Sequence, residues 1–117
     1  LELINQMVLS VMRKFGVKGL LVPEAPGIYV SKPGGANQFF NLAKICSIGL
    51  KISNHCSYHG FALNVSANLE PFSYITPCGY EGLRVANLNE FAQNATLEST
   101  KRVLVEIIKE QFSEKRN

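Results

Sequence analysis

Hydrophobic positions follow two rhythms along this 117-residue chain, one helical and one alternating. At the start, Leu1, Ile4, Val8, Val11, Met12 and Phe15 recur at helical spacing, and Gly16 supplies a natural stop. The stripe is already running at Leu1, with no capping residue and no methionine before it. The chain therefore reads as a piece of a longer protein. Residues 20–22 suit a short strand, 23–27 a loop and 28–30 a second strand. Residues 31–42 are polar and irregular around Pro33-Gly34-Gly35. From Lys44 to Ser53 the pattern alternates. It predicts Lys44, Cys46, Ile48, Leu50 and Ile52 on one apolar face, with Ser47, Gly49 and Lys51 on the other. Asn54 and His55 mark a turn. Phe61, Leu63 and Val65 then alternate with Ala62, Asn64 and Ser66, which predicts a hairpin with the preceding strand. Residues 67–82 read as loop or short helical turn. Thr96 can cap a last helix whose stripe is Leu97, Leu104, Ile107, Ile108 and Phe112, with a polar tail fraying after Ser113. Helix, strands, helix predicts an α+β class.

Composition narrows the function. Hydrophobic residues make up 46% of the chain, enough for one modest core. No apolar run is long enough to cross a bilayer. The formal charge is +3, and the basic residues cluster in the terminal helices: Arg13, Lys14, Lys18, Lys101, Arg102, Lys109, Lys115 and Arg116. The ordinary reading is solvated helix faces. Nucleic acid is not expected as a partner, because no dense basic run sits beside aromatic stacking residues. Three cysteines, Cys46, Cys56 and Cys78, argue against a disulfide framework and suit a reducing compartment.

One cysteine is framed for chemistry. In Tyr74-Ile75-Thr76-Pro77-Cys78-Gly79-Tyr80-Glu81, Pro77 fixes φ before Cys78 and Gly79 frees the backbone after it. Such a turn suits a nucleophile that must meet a carbonyl. Only a small fraction of an ordinary cysteine is thiolate at neutral pH, and a nearby cation raises that fraction. Lys44, in Lys44-Ile45-Cys46-Ser47-Ile48-Gly49-Leu50, is a candidate cation, although their separation in sequence does not establish contact. Taken alone, each has an ordinary reading too: Cys78 as a small core residue, Lys44 as a surface lysine at a strand end. Cys46 reads as packing and Cys56 as structural or half-exposed. Gly49 would permit close approach of a ligand to the backbone.

Taken together, these blocks and Cys56-Ser57-Tyr58-His59-Gly60-Phe61-Ala62-Leu63-Asn64-Val65 closely resemble, in order, the second half of the lipoyl(octanoyl) transferases. The resemblance runs from Ala25-Pro26-Gly27-Ile28-Tyr29-Val30 to about Leu88, and Asn68-Leu69-Glu70-Pro71-Phe72 fits it. It departs from the family at residues 31–42, where a tight turn is usual. The family's first half, with an Arg-Gly-Gly segment and a Thr-x-His-Gly-Pro-Gly-type motif, has no counterpart here. The resemblance therefore implies the C-terminal portion of one catalytic domain, with the mixed-sheet fold of biotin and lipoate protein ligases. It implies that Cys78 is acylated by octanoyl acyl carrier protein and passes the octanoyl group to a lysine of an apo lipoyl domain. The recipients would be lipoyl domains of 2-oxoacid dehydrogenases and the glycine cleavage H protein. Lys44 would favour the Cys78 thiolate and move the proton. Ser47, Ile48 and Gly49 would form one wall of the acyl site, and Gly60, Phe61 and Ala62 the other. His59 and Asn64 would hold the thioester or orient loops. The chemistry implies no ATP, metal or redox cofactor. It places the protein in the cytoplasm, or in the mitochondrial matrix of a eukaryote, with no membrane partner. Acyl carrier proteins are acidic, so the mild basic bias would steer them.

Three other readings stay open on the residues. His55, Cys56 and His59, completed by Cys46 or Cys78, could hold a metal, although the spacing matches no common zinc pattern. An ATP-dependent lipoate- or biotin-type ligase of the same fold would not need Cys78. A truncated, inactive fragment or binding module would need none of the chemistry.

Overall fold

The computed structural model describes residues 2–53, 56–66 and 83–116. Helix α1 (Glu2–Lys14) buries Val8, Val11 and Met12, as the stripe predicts, while Leu1 lies outside the described residues. Gly16 ends it at φ 76°. Its N–H donates to the Arg13 carbonyl at 2.9 Å, and the Val17 N–H donates to the Met12 carbonyl at 3.0 Å. These are the two bonds of a Schellman C-cap, in which a residue without Cβ takes the left-handed position.

Strands β1 (Leu20–Val22) and β2 (Ala25–Ser31) form a hairpin in which Val22 pairs with Ala25. Pro23 and Glu24 make the whole turn, with Glu24 at φ 64°. A proline followed by a positive φ is the pattern of a type II turn. The loop expected over 23–27 is therefore two residues long, and β2 starts earlier than the apolar residues alone suggest. Strand β3 (Leu42–Ser53) pairs with β2 and with β4 (Cys56–Leu63), both antiparallel. The β3–β4 ladder runs from Cys46↔Leu63 to Ser53↔Cys56, so the expected hairpin is present and β4 begins at Cys56. Strand β5 (Arg84–Val85) lies parallel to β3, with Lys44 opposite Val85. Among the described residues the sheet order is β1-β2-β3-β4, with β5 on β3. The segment 67–82, read as loop or helical turn, lies outside the described residues.

Helix α2 (Leu97–Arg116) packs against α1. Thr96 caps it as predicted: its Oγ1 accepts from the Ser99 N–H at 3.0 Å, and the Ser99 Oγ accepts from the Thr96 N–H at 2.9 Å. Two expectations for α2 need correcting. Leu97 is 56% exposed, at the rim of the helix interface, and the buried first-turn residue is Thr100. The helix also continues to Arg116, where the polar tail was expected to leave it. Arg13, Lys14, Lys18, Lys101, Arg102 and Lys109 are exposed, as solvated helix faces should be. Among the described residues no helix is long and apolar enough to cross a membrane.

The core has two parts. Val8 and Met12 of α1 join Ile28, Val30, Ala43, Ile45 and Cys46 beneath one sheet face. Ala25, Tyr29, Phe39 and Leu83 form a smaller cluster. Tyr29 alternates with Ile28 and Val30, so this second cluster lies on the opposite face.

Replacing Thr96 with Ala removes the cap acceptor and should lower stability by about 1 kcal/mol in a urea melt. Replacing Arg102, whose exposed ion pair with Glu98 is 3.5 Å long, should change it far less.

Candidate active-site face

One irregularity decides where the candidate lysine points. Ile28 pairs with Cys46, but the next residue, Tyr29, pairs with Lys44. Strand β3 thus advances two residues while β2 advances one, and Ile45 is the extra residue of a β-bulge. Directly opposed residues share a face. Ile28–Cys46 and Val30–Ala43 therefore point at α1, and Tyr29–Lys44 points away from it. This corrects the expected alternation: Lys44 and Cys46 lie on opposite faces. A bulge resets the parity of every residue beyond it, and nothing in the alternation of side chains announces it. Ser47 comes out on the Lys44 side. It pairs with Ala62, and both are exposed, whereas the neighbouring pair Ile48–Phe61 packs towards the helix-side core.

Lys44 is only 4% exposed. Its backbone is interior to the sheet, flanked by β2 and β5, and its carbonyl accepts from the Ala86 N–H at 2.9 Å. Its ammonium lies 5.7 Å from the centre of the Tyr29 ring, within reach of a cation–π attraction. Its stem crosses Gly27, which has φ 113°, and a Cβ there would sit 3.0 Å from Lys44 Cε and 2.6 Å from the Cys46 carbonyl. Only glycine fits both the backbone angle and the crossing stem. Tyr29 is fully buried and donates its hydroxyl hydrogen bond to the Pro26 carbonyl at 3.2 Å. A cleft of about 360 Å³ opens beside this place, lined by Ala25, Pro26, Gly27 and Ile48 together with Asn5, Leu21, Val22 and Glu24.

The two predicted walls meet. Ser47 faces Ala62, Ile48 faces Phe61 and Gly49 faces Gly60 across the ladder, with His59 opposite Leu50. Of these, Ser47 and Ala62 share the open face with Lys44. Ile48 and Phe61 contribute backbone there, their side chains packing against the helix-side core. The Asn64 N–H donates to the Ile45 carbonyl at 2.9 Å, and the Asn64 carbonyl accepts from the Leu88 N–H at 2.8 Å. Asn64 thus ties down the bulge. The side chain of His59 and all of Cys78 lie outside what is described. Leu83, five residues after Cys78, is buried in the cluster with Tyr29 and Phe39.

Cys46 is fully buried. Burial pushes its thiol up to about 12, against the smaller opposing pulls of the Ala62 backbone and the Lys44 ammonium. It is a neutral packing residue, as its place in the core indicates, and is unsuited to metal ligation as a thiolate. Among the described residues no three His, Cys, Asp or Glu side chains gather as a metal site, and the side chains of His55, Cys56, His59 and Cys78 in the metal reading lie outside them. Sequence reasoning missed Gly27 and Tyr29 as the supports of Lys44. The signal available was a glycine inside a strand, which marks a close approach.

The model of the lipoyl protein ligase A/B catalytic domain matches residues 1–109. An octanoyltransferase of Photorhabdus laumondii is 42% identical over 114 residues, covering 97% of this chain and 49% of that protein. The octanoyltransferase of Variovorax paradoxus is 43% identical over 114 residues, covering 86% and 50%. That of Polynucleobacter necessarius is 48% identical over 85 residues, covering 73% and 40%. A solved structure from an archaeal lipoylation system, a bi-partite lipoate protein ligase and its E2 lipoyl domain from Thermoplasma acidophilum, aligns with a TM-score of 0.65. It has 16% identity and covers 94% of this chain and 43% of that one, a likeness of fold alone. The chain belongs to the lipoyl protein ligase A/B catalytic domain family, and its α+β fold is the one expected. It spans about half the length of the curated relatives it matches.

The Cys46 thiol also makes a pH prediction. Its folded value of about 12 exceeds the ordinary 9.0, so the folded state keeps a proton that the unfolded state loses. This contribution to stability is complete below pH 9 and declines as pH rises towards 12, by about 1.4 kcal/mol per pH unit. Denaturation midpoints at pH 8 and about pH 10 should diverge less in Cys46→Val than in the parent.

Proposed function

We propose that this chain is the portion of an octanoyltransferase catalytic domain that carries the acyl-transfer pair, Cys78 and Lys44. The observation that carries the reading is the buried lysine. Lys44 is 4% exposed and held between Gly27 and Tyr29, on the sheet face that also bears Ser47 and Ala62. A lysine that served only solubility would not be drawn into a sheet interior. The family's curated relatives above are named octanoyltransferases, which supports the choice of acyl group.

The reaction has two halves. The Lys44 ammonium favours the Cys78 thiolate, whose proton leaves to solvent. The thiolate attacks the thioester carbonyl of octanoyl acyl carrier protein, the C–S bond to the carrier breaks, and the carrier thiolate leaves with a proton from Lys44. The product is an octanoyl-cysteine. The amine of a lipoyl-domain lysine then attacks that carbonyl, the C–S bond to Cys78 breaks, and the proton lost by the amine passes through Lys44 to the departing Cys78 sulfur as the amide forms. One thioester replaces another at nearly even energy, and amide formation from a thioester is downhill, so no ATP enters. Ser47-Ile48-Gly49 and His59-Gly60-Phe61-Ala62 line the acyl chain largely through backbone and small side chains, and Asn64 fixes the bulge that aims the lysine. Acyl carrier protein and apo lipoyl domains are the partners, in a cytoplasmic or mitochondrial-matrix setting.

The test is mass spectrometry after incubation with an octanoyl thioester. It should be run on the chain alone and with the remaining half of the domain supplied from the Photorhabdus laumondii relative. A thiol-labile adduct of octanoyl mass on the peptide containing Cys78 is expected, absent in Cys78→Ala and slowed at least tenfold in Lys44→Ala, about the low end of a lost general acid–base contribution. Lipoyl-domain octanoylation that requires ATP and survives Cys78→Ala would replace this reading with a ligase. No adduct in either setting would sink the acyl-cysteine.

A further inference from the structure

The loop between β2 and β3 is held too firmly to be a passive connection. Its chain takes the left-handed region at Gly34 (φ 104°), Gly35 (φ 81°), Asn37 (φ 58°) and Asn41 (φ 61°), each of which favours glycine or asparagine. A short 3-10 turn, Asn37–Phe39, drives Phe39 inward to 1% exposure while Phe40 stays 65% exposed. The Phe39 ring stacks on Tyr29, with centroids 5.7 Å apart and planes 22° from parallel. Tyr29 is the ring that faces the Lys44 ammonium.

Arg84 of β5 clamps the loop from the other side. One guanidinium nitrogen donates to the Pro33 carbonyl at 2.7 Å, and another donates to the Lys32 carbonyl at 2.7 Å and to the Leu42 carbonyl at 3.4 Å. The loop passes so close that a Cβ on Gly35 would come within 3.3 Å of Arg84 Nε and 2.5 Å of the Phe39 carbonyl. Lys32 completes the attachment, pairing with Glu90 at 2.9 Å and donating to the Val85 carbonyl at 3.4 Å. Burial alone would raise the Glu90 carboxyl, but the Lys32 hydrogen bond, the Asn87 backbone and the nearby Arg84 together hold it below the ordinary range.

We propose that residues 32–41 act as a buttress for Lys44, with Phe39 as a positioning residue that fixes Tyr29 and through it the lysine ammonium. The proposal rests on the function given above. Two contacts give it direction. Phe39 shares its cluster with Tyr29 of β2, the register partner of Lys44, and with Leu83, the residue just before β5, so one ring bears on both neighbours that flank the lysine's strand at Lys44. Arg84, which clamps the loop, is the register partner of Ala43, the residue before Lys44. A loop needed only to connect two strands requires neither contact.

The test measures iodoacetamide alkylation of Cys78 across pH, peptide by peptide, on the whole chain, together with thermal melting. Lys44→Ala should slow alkylation near pH 7 about tenfold, equivalent to a midpoint raised by about one pH unit. Phe39→Leu keeps apolar volume but removes the ring and should slow it roughly threefold, with a midpoint shift of about half a unit. Phe39→Tyr keeps the ring and should restore the parent profile, and Phe40→Ala should leave it unchanged. A Phe39→Leu protein that melts earlier yet shows the parent alkylation profile would reduce the loop to a structural element and overturn the proposal. If Lys44→Ala itself leaves the profile unmoved, the Lys44–Cys78 pairing fails first and the buttress falls with it. The two failures are thus distinguishable.

Discussion

Between the pairs Ile28–Cys46 and Tyr29–Lys44, β3 spends one residue more than β2. Without that bulge, Lys44 would share a face with Cys46 and be pressed into the apolar layer beneath α1, where an ammonium has little chance of partners. With it, Ile45 and Cys46 both fill the helix-side core while Lys44 is turned to the other face. The bulge needs holding, because an extra residue interrupts the ladder to β2. Asn64 does this from the opposite side, donating to the Ile45 carbonyl and accepting from Leu88. The placement of one lysine thus depends on backbone bonds from the end of β4 and the start of the last third of the chain.

Turning a lysine out of a core does not make it exposed, and Lys44 keeps 4% of its surface. Its stem is covered by the backbone of Gly27, and its head meets the electron-rich face of Tyr29. Such a face attracts a cation by roughly 0.5 to 2 kcal/mol according to how dry it is, which offsets part of the cost of removing an ammonium from water. The aromatic ring must itself stay in place for this to work. Tyr29 has its hydroxyl bonded to Pro26 and its ring packed on Phe39, so it has little freedom to rotate away.

The regular elements were legible because their signals are periodic. The stripe Val8, Val11, Met12 and the stop at Gly16 specify α1. The alternation from Phe61 to Ser66 specifies the hairpin, and Thr96 marks the start of α2. The face assignment of Lys44 was not legible, since alternation assumes an unbroken ladder and a bulge violates it without changing the sequence pattern. Nor could the pattern choose between Phe39 and Phe40, adjacent and chemically identical. The choice accompanies the left-handed turns at Gly34, Gly35, Asn37 and Asn41, which bend the loop. The block that frames Cys78 was informative by resemblance, while its geometry lies outside the described residues.

The sheet divides its labour by face. On the helix side, β2, β3 and β4 present Ile28, Val30, Ile45, Ile48, Phe61 and Leu63 to the core beneath α1, a layer whose evident demand is apolar volume. On the other side, beyond Lys44, the ladder presents Ser47 and Ala62, both small and exposed, and then the Gly49–Gly60 pair. Large side chains there would close the surface by which any extended ligand could lie along the strands. A glycine pair in the middle of a ladder costs strand stability, roughly 0.5 to 1 kcal/mol per residue relative to alanine, and it gains nothing in packing. The helix-side layer supplies the stability that allows this cost. The open face is therefore shaped more by what its described residues omit than by what they add, and the buried ammonium at its edge is delivered to it by the bulge.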